Sequence, residues 1–184
     1  MGNFYLDIET TGLDPKDSKI ITIQYQELDR NSGQAKGELV ILKEWESSEK
    51  QIISEFHDKS GIADEYPFAF ISTGYNLGFE HNFLIGRALA NNLEPIDILH
   101  RPFIDLRAFG ILMNKGEFKG SGLDKISGKK TSGMKIPEWY EKKEYGKIID
   151  YIEDETKAFI HLNAWLYRRM PSLWEEYKKE IGKP

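Results

Sequence analysis

The chain has 184 residues, 40% of them apolar and 30% charged, with a formal net charge of -5 and no cysteine. That length suits one domain, residues 1–184, with a sizeable core, and the composition excludes wholesale disorder. Without cysteine there is no disulfide scaffold, thiolate metal site or cysteine nucleophile, so a metal would be held by oxygen or imidazole. The longest apolar runs, about ten residues, are too short to span a bilayer. No charged-then-apolar leader opens the sequence. A cytoplasmic protein with no membrane association is expected.

Phe4 to Glu9 alternates in polarity and is bounded by the turn residues Thr11-Gly12-Leu13-Asp14-Pro15, which predicts a strand. Ile20 to Leu28 predicts a second, with Ile21, Ile23 and Tyr25 on one face and Thr22, Gln24 and Gln26 on the other. After a turn at Asn31-Ser32-Gly33 a third strand is expected over Glu38 to Lys43, completing an antiparallel meander. Ser47 or Ser48 caps a helix reaching about Asp58. Pro67 to Ser72, apolar on both faces, predicts a buried strand, followed by a helix from Phe79 to Asn91. A short extended piece, Pro102 to Leu106, precedes a helix over Arg107 to Asn114.

Lys115 to Pro137 is rich in glycine, serine and lysine and lacks periodicity. Six lysines (115, 119, 125, 129, 130, 135) face only Glu117 and Asp124 there. A basic loop on an acidic body suits a phosphate-bearing substrate or, equally, a solvated surface loop. A final helical pair, Glu144 to Arg169 and Ser172 to Ile181, is split by Pro171. The fold class is therefore α/β, a mixed sheet flanked by helices.

Three groups of acids carry the chemistry. Tyr5, Asp7 and Glu9 share one face of the first strand, while Phe4, Leu6 and Ile8 face the core. Two acids with Cβ atoms about 7 Å apart repel unless a cation lies between them, and their reach suits two divalent ions about 4 Å apart; the alternative is the solvated face of a half-exposed strand. Glu80 falls in the first turn of its helix, where the dipole favours an acid with or without a ligand role. In the last long helix, Ile148, Ile152, Phe159, Leu162 and Leu166 form the buried stripe. Glu155 continues that row, whereas Asp150, Asp154, Lys157 and His161 lie on the polar face. A carboxylate on the buried side wants a metal or a cationic partner, and Tyr151 lies one turn before it. The four histidines show no metal-ligand spacing.

In this order and spacing the segments resemble the DEDD superfamily of 3′–5′ exonucleases, and within it the tyrosine (DEDDy) subgroup that includes the proofreading domains of family A and B DNA polymerases. Phe-Tyr-Leu-Asp7-Ile-Glu9-Thr-Thr-Gly-Leu13 is similar to the first family motif, Tyr75-Asn76-Leu77-Gly78-Phe79-Glu80 to the second, and Tyr151-Ile-Glu-Asp-Glu155 to the third. The resemblance implies an RNase H-like five-stranded sheet whose first three strands are antiparallel. It also implies a two-metal site, with Mg²⁺ or Mn²⁺ held by Asp7, Glu9, Glu80 and Glu155 and the water oriented by Tyr151. The second and third motifs normally end in aspartate. Glutamate at 80 and 155 is one methylene longer, which implies a shifted or weaker second metal or a manganese preference, and Asp154 is the alternative to Glu155 if the helix register differs.

The same resemblance implies that Thr10, Thr11 and Leu13 meet the terminal nucleotide at the 3′ end of single-stranded DNA or RNA and that Asn76 and Phe79 line that cleft. Leu13 tucked onto the core is the alternative. The lysine-rich loop would follow the incoming strand, with Trp139 and Tyr140 either stacking bases or pinning the loop to the body. The implied reaction releases nucleoside monophosphates, and proofreading would require a separate polymerase. Glutamate at positions 80 and 155 leaves open a catalytically weak or inactive module kept for nucleic-acid or polymerase binding.

Overall fold

The computed structural model describes residues 2–127 and 133–183. Strands β1 (Gly2–Thr10), β2 (Ile20–Leu28), β3 (Val40–Lys43), β4 (Phe70–Gly74) and β5 (Phe103–Asp105) form one sheet in the order β3-β2-β1-β4-β5. The first three are antiparallel, while β4 runs parallel to β1 and β5 parallel to β4. This is the mixed, RNase H-like five-stranded sheet that the motif pattern implies.

Helices cover both faces. α1 (Glu49–Lys59) and α2 (Gly78–Ala90) bury Ile52, Ile53, Phe56, Phe83 and Leu84 against Leu6, Ile8, Ile23 and Phe70. On the other face α6 (Tyr145–Glu180) lays Phe159, Leu162 and Leu166 against Tyr5 and Leu28. The Tyr5 face of β1 is therefore covered rather than solvated: Tyr5 is buried and its ring lies 4.7 Å from that of Phe159. Ser48 caps α1 by accepting the Gln51 N–H, as a serine at that position should.

Four sequence expectations need correction. The pairing of β1 with β2 slips between Glu9 and Thr10, so Ile21 is an extra residue. It packs with Ile136, Ile148 and Ile152 on the α6 side, while Ile23 keeps to the opposite core, because a bulge turns two successive side chains to one face. The fourth strand begins at Phe70, not Pro67, since Tyr66 to Ala69 forms a turn closed by the Ala69 N–H on the Tyr66 carbonyl. Among the described residues the glycine-rich stretch holds a short helix, α4 (Leu123–Ser127), and a 3-10 turn over Gly133–Lys135 that runs on into α5 (Ile136–Glu141), with α3 (Arg107–Met113) before them; Lys129 and Lys130 lie outside the described residues. Finally, α6 runs through Pro171 without a break. From Arg168 to Tyr177 the helix is exposed, so water can meet the carbonyl that proline leaves unbonded.

Candidate active site

β1 and α6 build the site between them. Alternation along β1 sends Asp7 and Glu9 to the α6 face, and the helix stripe brings Glu155 opposite. One carboxylate oxygen from each of Asp7, Glu9 and Glu155 lies within 4.8 Å of the others. Asp154 points away, its carboxylate 3.8 Å from Lys157 and largely exposed, so Glu155 is the acid on the site side. The Tyr151 hydroxyl is hydrogen-bonded to Glu155 one turn on, packed over Gly133 at a spacing that an added Cβ would close to 3.0 Å.

Glu80 stands apart from that trio. It is buried in the first turn of α2 and hydrogen-bonds to Asp7 from the other side, and its Oε2 has no partner. Burial, then the Asp7 charge, pushes the Glu80 carboxyl well above the usual carboxylate range. Burial, then the charge of Glu155, raises Asp7 to about 7, although Gln24 and Tyr5 donate to it. Two carboxyls that close, both driven upward, share a proton when no cation is present. Burial, then the charge of Glu155, pushes Tyr151 well above its ordinary value, so near neutral pH it is a phenol.

Asp7 is aimed by a relay that only strand register reveals. Gln24 sits opposite it on β2 and donates from Nε2 to Asp7 Oδ2 at 2.9 Å. The Thr22 hydroxyl donates to Gln24 Oε1 at 2.9 Å, which fixes the amide with its N–H toward the acid. The Tyr5 hydroxyl adds a bond to the same Oδ2 at 3.1 Å.

The turn after β1 is equally ordered. The Thr10 hydroxyl donates to the Gly12 carbonyl, and Thr11 exchanges two bonds with Lys19. These bonds hold Leu13 outward at 87% exposure, so it does not tuck onto the core. Leu13, Phe79, Thr10 and Glu9 line an apolar cleft of about 340 Å³ whose other wall is Met134 and Pro137. Asn76 lies across the acids in a polar cleft of about 270 Å³ with Arg107 and Tyr151. Its φ of 75° is held by Asp105, whose carboxylate accepts the N–H groups of Asn76, Leu77 and Arg107 at 2.8–2.9 Å.

Trp139 and Tyr140 pin the loop. Trp139 packs edge-on to Tyr151, and Tyr140 donates to Glu44 and lies under the Lys19 ammonium. His81 faces Asp97 at 3.5 Å. Gln24, Asp105 and Gly133 are site neighbours that sequence reasoning passed over. Only the parity of Gln24 with Asp7 carried a signal, and it required the register.

A model of the RNase H superfamily matches residues 4–167. No curated protein matches the chain. Among solved structures the chain is similar to E. coli exonuclease I in its zinc-bound complex with single-stranded DNA, at 15% identity and a TM-score of 0.63 over 95% of this chain and 42% of that one. It is similar to E. coli exonuclease I with a dT13 oligonucleotide at 16% identity and a TM-score of 0.60 over 95% and 42%. At such identities the likeness is one of fold. The chain spans between 29% and 43% of the length of the exonuclease I chains it matches. With the family model covering most of its length and a mixed five-stranded sheet whose first three strands are antiparallel as expected, this chain belongs to the RNase H superfamily.

Proposed function

We propose that this protein is a 3′–5′ exonuclease of the DEDD tyrosine subgroup, removing nucleoside monophosphates from single-stranded or frayed DNA or RNA ends with two divalent ions, Mg²⁺ or Mn²⁺. The observation that carries the reading is the convergence of Asp7, Glu9 and Glu155 oxygens within 4.8 Å, above a buried Glu80 with an unpartnered oxygen. Three acids this close, with Glu80 against Asp7, are unfavourable unless cations or protons offset them, and an all-oxygen donor set suits Mg²⁺ or Mn²⁺. Asp7, Glu9 and Glu155 would hold one ion, and Asp7 with Glu80 the other. Bound there, such ions supply Lewis acidity to the phosphodiester and lower the pKa of water.

The chain's own groups do the rest. Gln24 and Tyr5 keep Asp7 in one rotamer. Tyr151, a phenol near neutral pH, orients water rather than accepting its proton. Leu13 and Phe79 offer apolar walls to the terminal base, while Thr10 and Thr11 hold the backbone of the turn against the terminal sugar. Asn76, on the opposite side of the acids, would meet the next phosphate. The single-stranded DNA in the exonuclease I complexes of like fold supports a strand of this kind as substrate.

A catalytically weak strand-binding module is the second reading, favoured by the depth of Glu80. A longer side chain that prefers a proton holds the second ion less firmly. Degradation of 5′-labelled single-stranded DNA and RNA with Mg²⁺, Mn²⁺ or EDTA, beside Asp7→Ala, separates the two. A metal-dependent ladder shortening from the 3′ end and lost in Asp7→Ala supports the exonuclease. Strand binding without product in either metal refutes it.

A further inference from the structure

Beyond Tyr167 α6 leaves the body, and the residues from Arg168 to Tyr177 are all exposed. A free helix of about 13 residues is marginal in water, and an internal proline makes it worse. Yet this segment carries an apolar stripe at helical spacing: Met170, Leu173, Trp174, Tyr177 and Ile181, continuing from buried Leu166. Leu173, Trp174 and Tyr177 are 52%, 56% and 52% exposed. The five outer side chains leave on the order of 500 Å² of apolar surface per copy on one side, the size of the largest patch on an ordinary monomer, which is often functional.

The stripe is palindromic. Reversed about the midpoint between Leu173 and Trp174, Met170 falls on Tyr177, Leu173 on Trp174, and Leu166 on Ile181. At about 100° per residue one flank of the stripe carries Arg169, Glu176 and Glu180. Under the same reversal Arg169 of one copy falls between Glu176 and Glu180 of another, about 3 Å along the axis from each. The opposite flank sets Lys178 between Tyr167 and Pro171 and brings no like charges together. A parallel pair would set Lys178 of one copy between the same two acids of the other, so the flank charges suit a second copy in either direction, and the foot of the stripe sets the direction. At the foot of the stripe, Ile104, Leu106, Phe109, Leu166 and Met170 line an apolar groove of about 250 Å³, where Ile181 of the second copy would end.

We propose that this stretch of α6 is a homodimer contact, two copies packing antiparallel about Leu173 and Trp174. The pair would cover about 1,000 Å², the lower edge of a specific interface, so the dimer is reversible and concentration-dependent.

The chain has no cysteine, which makes single-cysteine variants clean probes. Met170→Cys mixed with Tyr177→Cys should oxidise to the mixed disulfide at least ten-fold faster than either alone. Sedimentation equilibrium of the unmodified chain should show a monomer–dimer equilibrium in the micromolar range, abolished by Trp174→Glu with unchanged circular dichroism. A monomer up to about 200 µM, a dimer that survives Trp174→Glu, or faster 170–170 than 170–177 coupling would each overturn the proposal.

Discussion

Replacing Asp7 with asparagine should stabilise the metal-free protein while abolishing the proposed exonuclease activity. Asp7 is raised from 3.8 to about 7 by burial and by Glu155, and moving one carboxyl that far is worth about 4 kcal/mol. The folded-state value lies above the unfolded one. The penalty is therefore absent below about pH 4, grows as pH rises through 7, and is complete above it. Because the charge is shared with Glu155 and Glu80, one substitution should recover about half of this, about 2 kcal/mol. Asparagine keeps the acceptor oxygen: both the Gln24 and Tyr5 bonds end on Oδ2, and the new amide can donate to the neighbouring acids. For a chain of this length 2 kcal/mol corresponds to a rise of roughly 4–8 °C in Tm. The assay is thermal unfolding of both proteins in EDTA from pH 4.5 to 8. The gap should be widest at pH 8 and close toward pH 4.5, and Mg²⁺ or Mn²⁺ should raise the Tm of the unsubstituted protein more than that of Asp7→Asn. A variant less stable at pH 8 in EDTA, or a gap independent of pH, would refute the reasoning.

The Glu49 carboxylate takes both Nε and Nη2 of Arg87, the Asn91 amide and the Ile20 N–H; Glu49→Ala should cost about 3–5 kcal/mol, read as a fall in Tm and in the urea midpoint. Despite its desolvation those partners hold Glu49 below its ordinary value, so its contribution is present above pH 4.5 and lost as pH falls through the lower folded-state value, and Glu49→Gln should approach the parent protein in acid. Tyr151→Phe should lower kcat by about 10- to 100-fold with the shape of the pH–rate profile unchanged, since burial and Glu155 push Tyr151 upward from its ordinary value; a lost limb would make it a base. Asp105→Ala, which frees the N–H groups of Asn76 and Leu77, should lower kcat and raise KM about ten-fold, by about 1.4 kcal/mol, with partial rescue in Asp105→Asn; equal rates in all three would show that the Asn76 turn holds itself.

Alternation and helical period were enough to place most of the site. They set Asp7 and Glu9 on one face of β1 and separated Glu155 from its neighbour Asp154, because a side chain's direction on a regular element follows from its position along it. They also located α1, α2 and α3 nearly to the residue, with a serine cap at α1 and no side-chain cap at α2 or α3. What they missed depended on contacts distant in the chain. The bulge that turns Ile21 to the α6 face exists only once β2 is paired with β1, and the Gln24–Asp7 bond depends on that same register. Whether Pro171 ends a helix depends on whether water reaches the carbonyl one turn back. The positions of Trp139 and Tyr140 follow from Tyr151, Glu44 and Lys19, which belong to three other elements. Local pattern determines which way a side chain leaves the backbone. What it then meets is decided by packing between segments far apart in sequence, and that packing turns Glu80 from an ordinary first-turn acid into a buried partner of Asp7.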